Sequence, residues 1–380
     1  MTATPPQTAP KPSRPATTGA GGCFASALVE WQRRSGRHNL PLQHTREPYR
    51  VWLSEIMLQQ TQASRVQLYW PRFLARFPTL QSLAAAPLEE VLALWSGLGY
   101  YRRAALLHRC AQSIATQHGG EFPRSAEALQ ALPGIGRSTA AAIAAFCWNE
   151  RTPILDGNVR RVLARCFALD APSERQLWQL AETLLPADAA DMPAYTQALM
   201  DLGALLCTPR RPDCPNCPLA AQCLAAASGA PERWPAPAAR AQKRALTLWL
   251  LHACNADDSL VWLTQRPARG IWGGLHCLPT FPSRARLLAA LPEKSRAAAR
   301  EQPPISHQLT HRSLTLHIIK APFAEGTPPA PGAWHSTAAL HTLGLPAPIS
   351  RYMGIKKNIP SPPPRAARTG GGLAFKKHTS

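Results

Sequence analysis

Four cysteines within 17 residues form the densest group of reactive side chains in this sequence. They are spaced Cys207-x6-Cys214-x2-Cys217-x5-Cys223, with prolines between them that favour a tight loop. Four thiolates can surround a zinc ion or an iron–sulfur cluster. Zinc modules usually pair two C-x2-C units, and this chain has a single one, so the uneven spacing favours a cluster. A disulfide framework is the weaker alternative in a chain without a secretory signal.

A glycine-containing turn is the second candidate site. The sequence LPGIGRSTA at 132–140 separates two segments with helical periodicity. Gly134 and Gly136 allow a tight turn, and main-chain N–H groups at a helix N-terminus bind phosphate without a charged side chain. An ordinary connection between two helices could have the same pattern, so the turn by itself is a weak indication.

Asp156 is the third candidate, because it stands between an apolar pair and a glycine in ILDGNVRR at 154–161. An Asp at such a junction is commonly the N-cap of the following helix. With the glycine turn upstream and the cysteines downstream, it also becomes a candidate catalytic carboxylate.

The charge balance indicates a polyanionic partner. The chain has 380 residues, with Lys plus Arg 42 and Asp plus Glu 22, which gives a formal net charge of +20. Such an excess favours nucleic acid, and less often an anionic membrane, as the partner. No apolar run reaches the roughly 18 residues that a membrane span needs, and residues 1–20 lack the apolar core of a signal peptide. We therefore expect a cytoplasmic protein, associated with the nucleoid in a bacterium.

Periodicity and punctuation by Pro and Gly divide the chain into two domains, one mainly helical and one α+β. The predicted boundaries are a disordered tail at 1–22, a helical domain at 23–224, a linker at 225–245, an α+β domain at 246–350 and a disordered basic tail at 351–380. The predicted helices are Val51–Gln67, Leu88–Leu94, Arg102–Gln117, Ser125–Leu132, Arg137–Phe146 and Ser283–Leu291. The predicted strands are Leu246–His252, Leu260–Gln265 and Ser313–Ile319.

Taken together, these motifs resemble the helix-hairpin-helix DNA glycosylases that carry a four-iron four-sulfur cluster. Within that superfamily, VWLSEIMLQQTQ at 51–62, GLGYY at 97–101 and LDGNV at 155–159 resemble the MutY adenine DNA glycosylases. The similarity is close over roughly 24–224 and looser over 246–346, where GIWGGLHCLP at 270–279 resembles the family's Nudix-like domain. It implies a mainly α glycosylase domain with one cluster held by the four cysteines, and a smaller α+β domain that reads the lesion.

The resemblance implies a two-carboxylate mechanism for removing adenine mispaired with 8-oxoguanine or guanine in duplex DNA. Glu55, in an apolar helix that should raise its pKa, would be the general acid, and Asp156 would stabilise the oxocarbenium ion. Asn158 and Ser138 would position groups around them. Endonuclease III-type relatives have a Lys where this chain has Ser138. A hydroxyl forms no imine with the sugar, so excision without strand cleavage is expected.

The same resemblance implies that the enzyme, expected to be a monomer, flips adenine out of the duplex. Gln59 would enter the stack and Tyr100 would act as a wedge. Thr310 and His311, in the sequence HQLTH at 307–311, would contact 8-oxoguanine, although Leu309 replaces the family's usual aromatic residue there and Leu42 replaces a usual Trp. No Nudix hydrolase box of Glu residues is visible.

Two alternatives stay open at this point. An endonuclease III-like glycosylase and lyase for oxidised pyrimidines would share the hairpin, Asp156 and the cluster. A noncatalytic sensor of DNA damage could use the hairpin and the cluster for docking alone, although Glu55 and Asp156 argue against it.

Overall fold

A computed structural model describes residues 20–38, 40, 43–236, 243–323 and 327–355. Most of the two predicted tails (1–19 and 356–380), the segment 237–242 of the predicted linker and Leu42 lie outside these residues. Within them, none of the helices is long and apolar enough to cross a membrane.

The first domain is helical, as predicted. Its helices are α1 (Ala20–Ser35), α2 (Pro48–Leu58), α3 (Ala63–Arg76), α4 (Leu80–Ala85), α5 (Leu88–Trp95), α6 (Arg102–Gln117), α7 (Ala126–Gln130), α8 (Arg137–Trp148), α9 (Gly157–Cys166), α10 (Glu174–Thr183), α11 (Met192–Leu205) and α12 (Leu224–Ala227). Short 3-10 turns occur at Ala189–Asp191, Ala220–Gln222 and Pro231–Arg233. One buried cluster packs α2, α3, α5, α6 and α8, and a second packs α1, α9 and α11.

One predicted helix, Val51–Gln67, is wrong, because the structure divides it into α2 and α3. The chain turns between them at Gln60, which has a φ of 54°. The carbonyl groups at the end of α2 accept hydrogen bonds from a distant side chain, Arg103, instead of continuing the helix. The cause is a tertiary contact, which local periodicity does not register.

The second domain is a mixed sheet with flanking helices. Its strands are β1 (Arg244–Cys254), β2 (Leu260–Gln265), β3 (His276–Cys277), β4 (Thr280–Phe281), β5 (Arg300–Glu301), β6 (Ile305–Gln308), β7 (Arg312–Pro322) and β8 (Ala333–Ser336). The helices are α13 (Arg284–Ala290), α14 (Glu293–Ala297) and α15 (Ala347–Tyr352), with a 3-10 turn at Thr337–Thr342. The sheet order is β3-β2-β1-β7-β5, with β4 on β1, β6 on β7 and β8 on β2. The pair β1–β7 is parallel over its whole length, and the other pairs are antiparallel.

Residues 225–236, which we expected to lie in a linker, pack on the helical domain instead. Ala225 is fully buried and Trp234 is 8% exposed. The buried guanidinium of Arg165 donates to the Trp234 carbonyl at 3.0 Å, and the Ala236 amide donates to the Asp170 carbonyl at 2.9 Å. The side chain of Trp234 therefore anchors this segment, although its Ala- and Pro-rich composition predicts a linker that packs on neither domain.

The two domains share an apolar cluster and several hydrogen bonds. Gly274 and Gly344 lie against Leu92 of α5, where an added Cβ would stand 3.2–3.3 Å from its atoms. The Leu345 carbonyl accepts from the hydroxyls of Ser96 and Tyr101, each at 3.2 Å. This contact fixes the loop 96–101 against the second domain. We call it the wedge loop, after the role that the sequence predicts for Tyr100.

Candidate functional site

Glu55 lies on α2, a helix that is buried on almost all sides. The Glu47 carboxylate caps its N-terminus by accepting from the amides of Tyr49 and Arg50, both at 3.0 Å. The neighbours of Glu55 along the chain, Ser54 and Ile56, are buried, and Glu55 itself is partly buried. Burial, with a smaller contribution from the negative charge of Asp156, raises the pKa of Glu55 to about 7. A carboxyl group with that pKa can hold a proton near neutrality and release it to a leaving group.

Asp156 is the N-cap of α9, as its position in the sequence also allowed. Its Oδ1 accepts from the Val159 amide at 2.8 Å. Its negative charge contributes to the raised pKa of Glu55, so the two carboxyl groups, on α2 and at the start of α9, interact electrostatically. Ser138 belongs to the same arrangement, because its Oγ accepts from the Leu155 amide at 3.0 Å.

The glycine turn joins α7 and α8 into a helix-hairpin-helix. Gly134 has a φ of 81°, and an added Cβ would stand 2.8 Å from the Leu106 Cβ, so both conformation and space require glycine. Gly136 differs, since its φ is −84° and the space around it is open. No side chain caps α8, whose first helical bond runs from the Ala140 amide to the Gly136 carbonyl. The amides of residues 137–139 therefore precede the helical ladder, as in helix N-termini that bind phosphate.

Gln59 lies beside this hairpin, at the C-cap of α2. Its amide donates to Thr139 Oγ1 at 3.2 Å. Gln59 thus contacts Thr139, the residue that follows Ser138. Ser138 in turn holds the segment that carries Asp156. Thr139 was not among the residues singled out from the sequence.

Asn158 contacts Arg161 rather than Asp156. Its Oδ1 accepts from Arg161 Nη2 at 2.9 Å, and the same nitrogen donates to the Gly203 carbonyl at 2.7 Å. Arg161 Nε donates to the Cys207 carbonyl at 2.8 Å. Asn158 and Arg161 therefore connect the start of α9, which carries Asp156, to the first of the four cysteines.

The segment 207–223, hereafter the cysteine loop, is anchored on α9 by a second arginine. Arg165 donates to the carbonyls of Thr208 and Pro209 at 2.7 and 3.0 Å, and its Nη1 lies 3.5 Å from Cys207 Sγ. Sequence reasoning missed both arginines. Their spacing of four residues on α9 was the signal, because it places them on one face of the helix.

The four loop cysteines are free thiols that line one cavity together with Arg165. Among the described residues, no group of three or more Cys, His, Asp or Glu side chains stands close enough together to hold a single metal ion. Four thiols that line one cavity are a donor set that fits an iron–sulfur cluster. The same donor set can also bind a zinc ion.

Tyr100 is the most exposed residue of the wedge loop, with 46% of its surface accessible and a φ of 50°. Its hydroxyl lies 3.2 Å from Thr310 Oγ1. Thr310 and His311 form the exposed tip of the β6–β7 hairpin, which the Leu309 amide closes by donating to the Arg312 carbonyl at 2.8 Å. We call these two residues the hairpin tip. Through Thr310 the tip contacts Tyr100. Among the described residues, the side chain of His311 contacts none of the other predicted site residues.

Arg103, which the sequence interpretation also missed, donates hydrogen bonds to several groups near the site. It donates to carbonyls at the end of α2, to Thr61 and to the Gly99 carbonyl. Burial lowers its pKa to about 10, so it is charged at neutral pH. Its position two residues after GLGYY, in the first turn of α6, was the available signal.

Comparison with known proteins gives the same architecture. Residues 53–187 match the HhH-GPD superfamily of base excision DNA repair proteins, and residues 250–354 match the NUDIX domain. The chain is similar to the solved structure of a thermostable thymine-DNA glycosylase, with a TM-score of 0.52 and 27% identity over 56% of this chain and 99% of that one. The fold and the site thus define a helix-hairpin-helix DNA glycosylase with a Nudix domain.

Two relatives narrow that class. The adenine DNA glycosylase of Buchnera aphidicola subsp. Schizaphis graminum is 33% identical over 88% of this chain and 99% of its own. The adenine DNA glycosylase of Homo sapiens is 45% identical over 53% of this chain and 39% of its own. The chain belongs to the MutY adenine DNA glycosylase family, whose members hydrolyse N-glycosyl bonds, and this confirms the family predicted from the sequence.

Proposed function

We propose that this enzyme removes adenine paired with 8-oxoguanine, or with guanine, from duplex DNA and leaves the strand intact. The observation that carries the proposal is the pair of carboxyl groups, Glu55 and Asp156, beside a helix whose residue 138 is a serine. The pair can cleave the N-glycosyl bond. The serine has no amine with which to form the imine that strand cleavage by a lyase requires.

Glu55 is the general acid in this proposal. Its pKa of about 7 leaves a large fraction protonated at neutral pH, and the proton passes to N7 of the adenine, so that the base leaves as a neutral molecule. The Glu55 carboxylate then accepts a proton from the water that attacks C1′ of the sugar. The net reaction adds one water across the N-glycosyl bond and yields adenine and an abasic site.

Asp156 stabilises the positive charge that develops on the sugar. The hydrogen bond from the Val159 amide fixes Oδ1, and no described residue donates to Oδ2. That oxygen is therefore available to the oxocarbenium ion. Ser138 and Asn158 act as positioning residues, one through the Leu155 amide and the other through Arg161.

The substrate must leave the duplex to reach these groups. We propose that the turn at Gly134 and Gly136 binds backbone phosphate through the amides of residues 137–139. Gln59 enters the base stack beside the flipped adenine, and Tyr100 wedges into it from the other side. The exposure of Tyr100 and the open space at Gly136 support these assignments.

The hairpin tip, Thr310 and His311, is proposed to contact 8-oxoguanine. This lesion differs from guanine by a C8 carbonyl and an N7–H, which a hydroxyl and an imidazole can hydrogen-bond. The contact between Thr310 and Tyr100 supports the placement, because it puts the tip at the wedge. Leu309 is partly buried against the core and would leave the stacking role to Tyr100.

We propose that Cys207, Cys214, Cys217 and Cys223 hold one four-iron four-sulfur cluster. When bound, the cluster cross-links the cysteine loop through four iron–thiolate bonds. Arg161 and Arg165 of α9 hydrogen-bond to that loop, and Asp156 caps the same helix, so α9 connects the loop to Asp156.

Because one chain supplies both carboxyl groups, the hairpin and the tip, we propose a monomer. It would act where the DNA is, in the bacterial cytoplasm at the nucleoid.

Single-turnover excision on three duplexes tests the proposal. Adenine would be placed opposite 8-oxoguanine, guanine or thymine, and free adenine measured over time. We expect the fastest release opposite 8-oxoguanine, slower release opposite guanine and little opposite thymine. Asp156→Asn should abolish release while binding of the duplex persists. Release of thymine instead of adenine, or no release of adenine opposite 8-oxoguanine, would overturn the assignment.

A further inference from the structure

Arg103 closes the end of the helix that carries Glu55. Its Nη1 donates to the carbonyls of Ile56, Met57 and Gln59 at 2.8, 2.9 and 2.5 Å. The last carbonyls of a helix have no partner within the helix. One guanidinium here satisfies two of them, at Ile56 and Met57, together with the carbonyl of the C-cap residue Gln59. The position of Gln59 thus depends on a side chain from α6.

The other side of the same guanidinium reaches the wedge loop. Arg103 Nη2 donates to the Gly99 carbonyl at 3.3 Å and to Thr61 Oγ1 at 3.0 Å. The guanidinium carbon lies 5.5 Å from the centre of the Tyr100 ring, within the range of a cation–π contact. A movement of Tyr100 must therefore change the surroundings of Arg103.

Tyr100 is in turn held from the second domain. Its hydroxyl and Thr310 Oγ1 are 3.2 Å apart, and its φ of 50° is a conformation that non-glycine residues seldom adopt. A continuous series of contacts thus runs from Thr310 through Tyr100 and Arg103 to the carbonyls that follow Glu55.

We propose that Arg103 is a positioning residue that couples Tyr100, and through it Thr310, to the catalytic helix. The proposal rests on the proposed function, because it concerns how the wedge and the hairpin tip influence removal of the base. When Tyr100 enters the duplex, its hydroxyl leaves Thr310 and contacts the DNA beside the lesion. Arg103, which contacts both Tyr100 and the end of α2, then shifts Gln59 and α2. Engagement of the lesion strand then favours the geometry in which Glu55 and Gln59 meet the flipped adenine.

The planar fork of arginine is what the proposal requires. It donates from two nitrogens to acceptors at the end of α2 and on the wedge loop, and its carbon lies 5.5 Å from the centre of the Tyr100 ring. A lysine in the same place keeps the charge, but its single ammonium group is too small to reach both sets of acceptors. Arg103→Lys should therefore uncouple the two sides with little change in net charge.

Coupling between residues is measured by a double-mutant cycle rather than by proximity. The cycle combines Arg103→Lys with Tyr100→Ala in the full chain. Flipping would be followed by the fluorescence of 2-aminopurine in place of the target adenine opposite 8-oxoguanine, and excision by single-turnover rate constants. The matched control is Arg65→Lys. Arg65 donates to the Gly97 carbonyl at 2.6 Å in the same loop but makes no described contact with α2.

We expect Arg103→Lys to slow flipping and excision by on the order of tenfold, and Tyr100→Ala to add little in that background. In the Arg65→Lys background Tyr100→Ala should have its full effect. Multiplicative effects in both backgrounds would overturn the proposal, even if adenine is excised. A wild-type enzyme that releases no adenine would instead overturn the proposed function.

A second variant protects the test if Arg103→Lys folds poorly, which thermal unfolding would reveal. Thr310→Ala removes the outer contact without touching α2 or α6. It should slow 2-aminopurine flipping in the wild-type background. Its effect should be smaller in a Tyr100→Phe background, because only the loss of the proposed contact with 8-oxoguanine then remains. An equal effect in both backgrounds would contradict the route through Tyr100.

Discussion

Ser138 Oγ accepts a hydrogen bond from the main-chain amide of Leu155, the residue immediately before Asp156, at 3.0 Å. The residue that follows the helix-hairpin-helix turn thus fixes the segment that carries the second carboxylate. In relatives with a lysine at this position the residue supplies a nucleophile, whereas here it supplies an acceptor.

Ser138→Ala should therefore slow excision more than it weakens DNA binding. The change leaves the buried Leu155 amide without its acceptor, which costs about 1–3 kcal/mol, and a small displacement of a reacting group can cost up to roughly 100-fold in rate. We expect a loss of about tenfold or more in the single-turnover rate constant. Ser138→Thr, which keeps the hydroxyl, is the matched control and should retain most of the rate. Equal rates for wild type and Ser138→Ala would show that this hydrogen bond has no role.

Glu55→Gln should make the protein more stable at alkaline pH while it abolishes excision. The folded protein raises the pKa of Glu55 from 4.5 to about 7, so folding favours the protonated form. The stability that this carboxyl contributes is fully present below pH 4.5 and is lost as the pH rises through 7. The free energy of unfolding falls by on the order of 3 kcal/mol over this range. Glutamine has no titrating proton, so Glu55→Gln does not lose this stability.

Thermal unfolding of both proteins at pH 5 and pH 8 checks this expectation. The unfolding midpoint of Glu55→Gln minus that of the wild type should be larger at pH 8 than at pH 5. Groups that titrate in both proteins cancel in this difference. Excision by the wild-type enzyme should also fall as the pH rises above about 7, because the general acid loses its proton. A pH-independent difference in unfolding midpoint would contradict the raised pKa.

The two glycines of the hairpin should respond differently to alanine. Gly134→Ala places a Cβ against Leu106 in a left-handed conformation, which costs about 1–2 kcal/mol for the conformation alone. We expect a lower unfolding temperature and weaker binding of duplex DNA. Gly136→Ala, the matched control, fills open space at an ordinary φ and should leave the unfolding temperature unchanged. Equal destabilisation by both changes would be inconsistent with this hairpin geometry.

Replacement of one loop cysteine should remove the cluster. Cys214→Ser takes away one of four thiolates, so we expect loss of the brown colour and of the visible absorption of an iron–sulfur protein, together with less iron per chain. Cys23→Ser, a change at an exposed thiol of α1 outside the loop, should keep both. A colourless wild-type protein that contains zinc would contradict the assignment.

The sequence predicts those parts of the fold that depend on local patterns. Arg102–Gln117 and Leu260–Gln265 are predicted to the residue, because each is a periodic segment bounded by turn residues. The break between α2 and α3 is not predictable in this way, since Arg103, more than 40 residues away, takes the carbonyl groups there. The parallel pairing of β1 with β7 is likewise a long-range contact that no local pattern specifies.

The candidate site divides along the same line. Glu55 and Asp156 are found from motifs, because the chemistry restricts their types and their neighbours. Arg161, Arg165 and Thr139 act through main-chain carbonyls or through another side chain, and such partners are visible only once the chain is folded. The composition of the segment 225–236 predicts a linker. The structure instead packs it on the helical domain, where Trp234 anchors it.

Product analysis on a duplex with adenine opposite 8-oxoguanine distinguishes excision of adenine alone from excision coupled to strand cleavage. The purified enzyme is incubated with this DNA, free adenine is measured, and the strand is examined before and after treatment with alkali. We predict stoichiometric release of adenine and a strand that is cut at that position only after alkali. Cleavage without alkali, or an intact strand after alkali with no adenine released, would contradict the account.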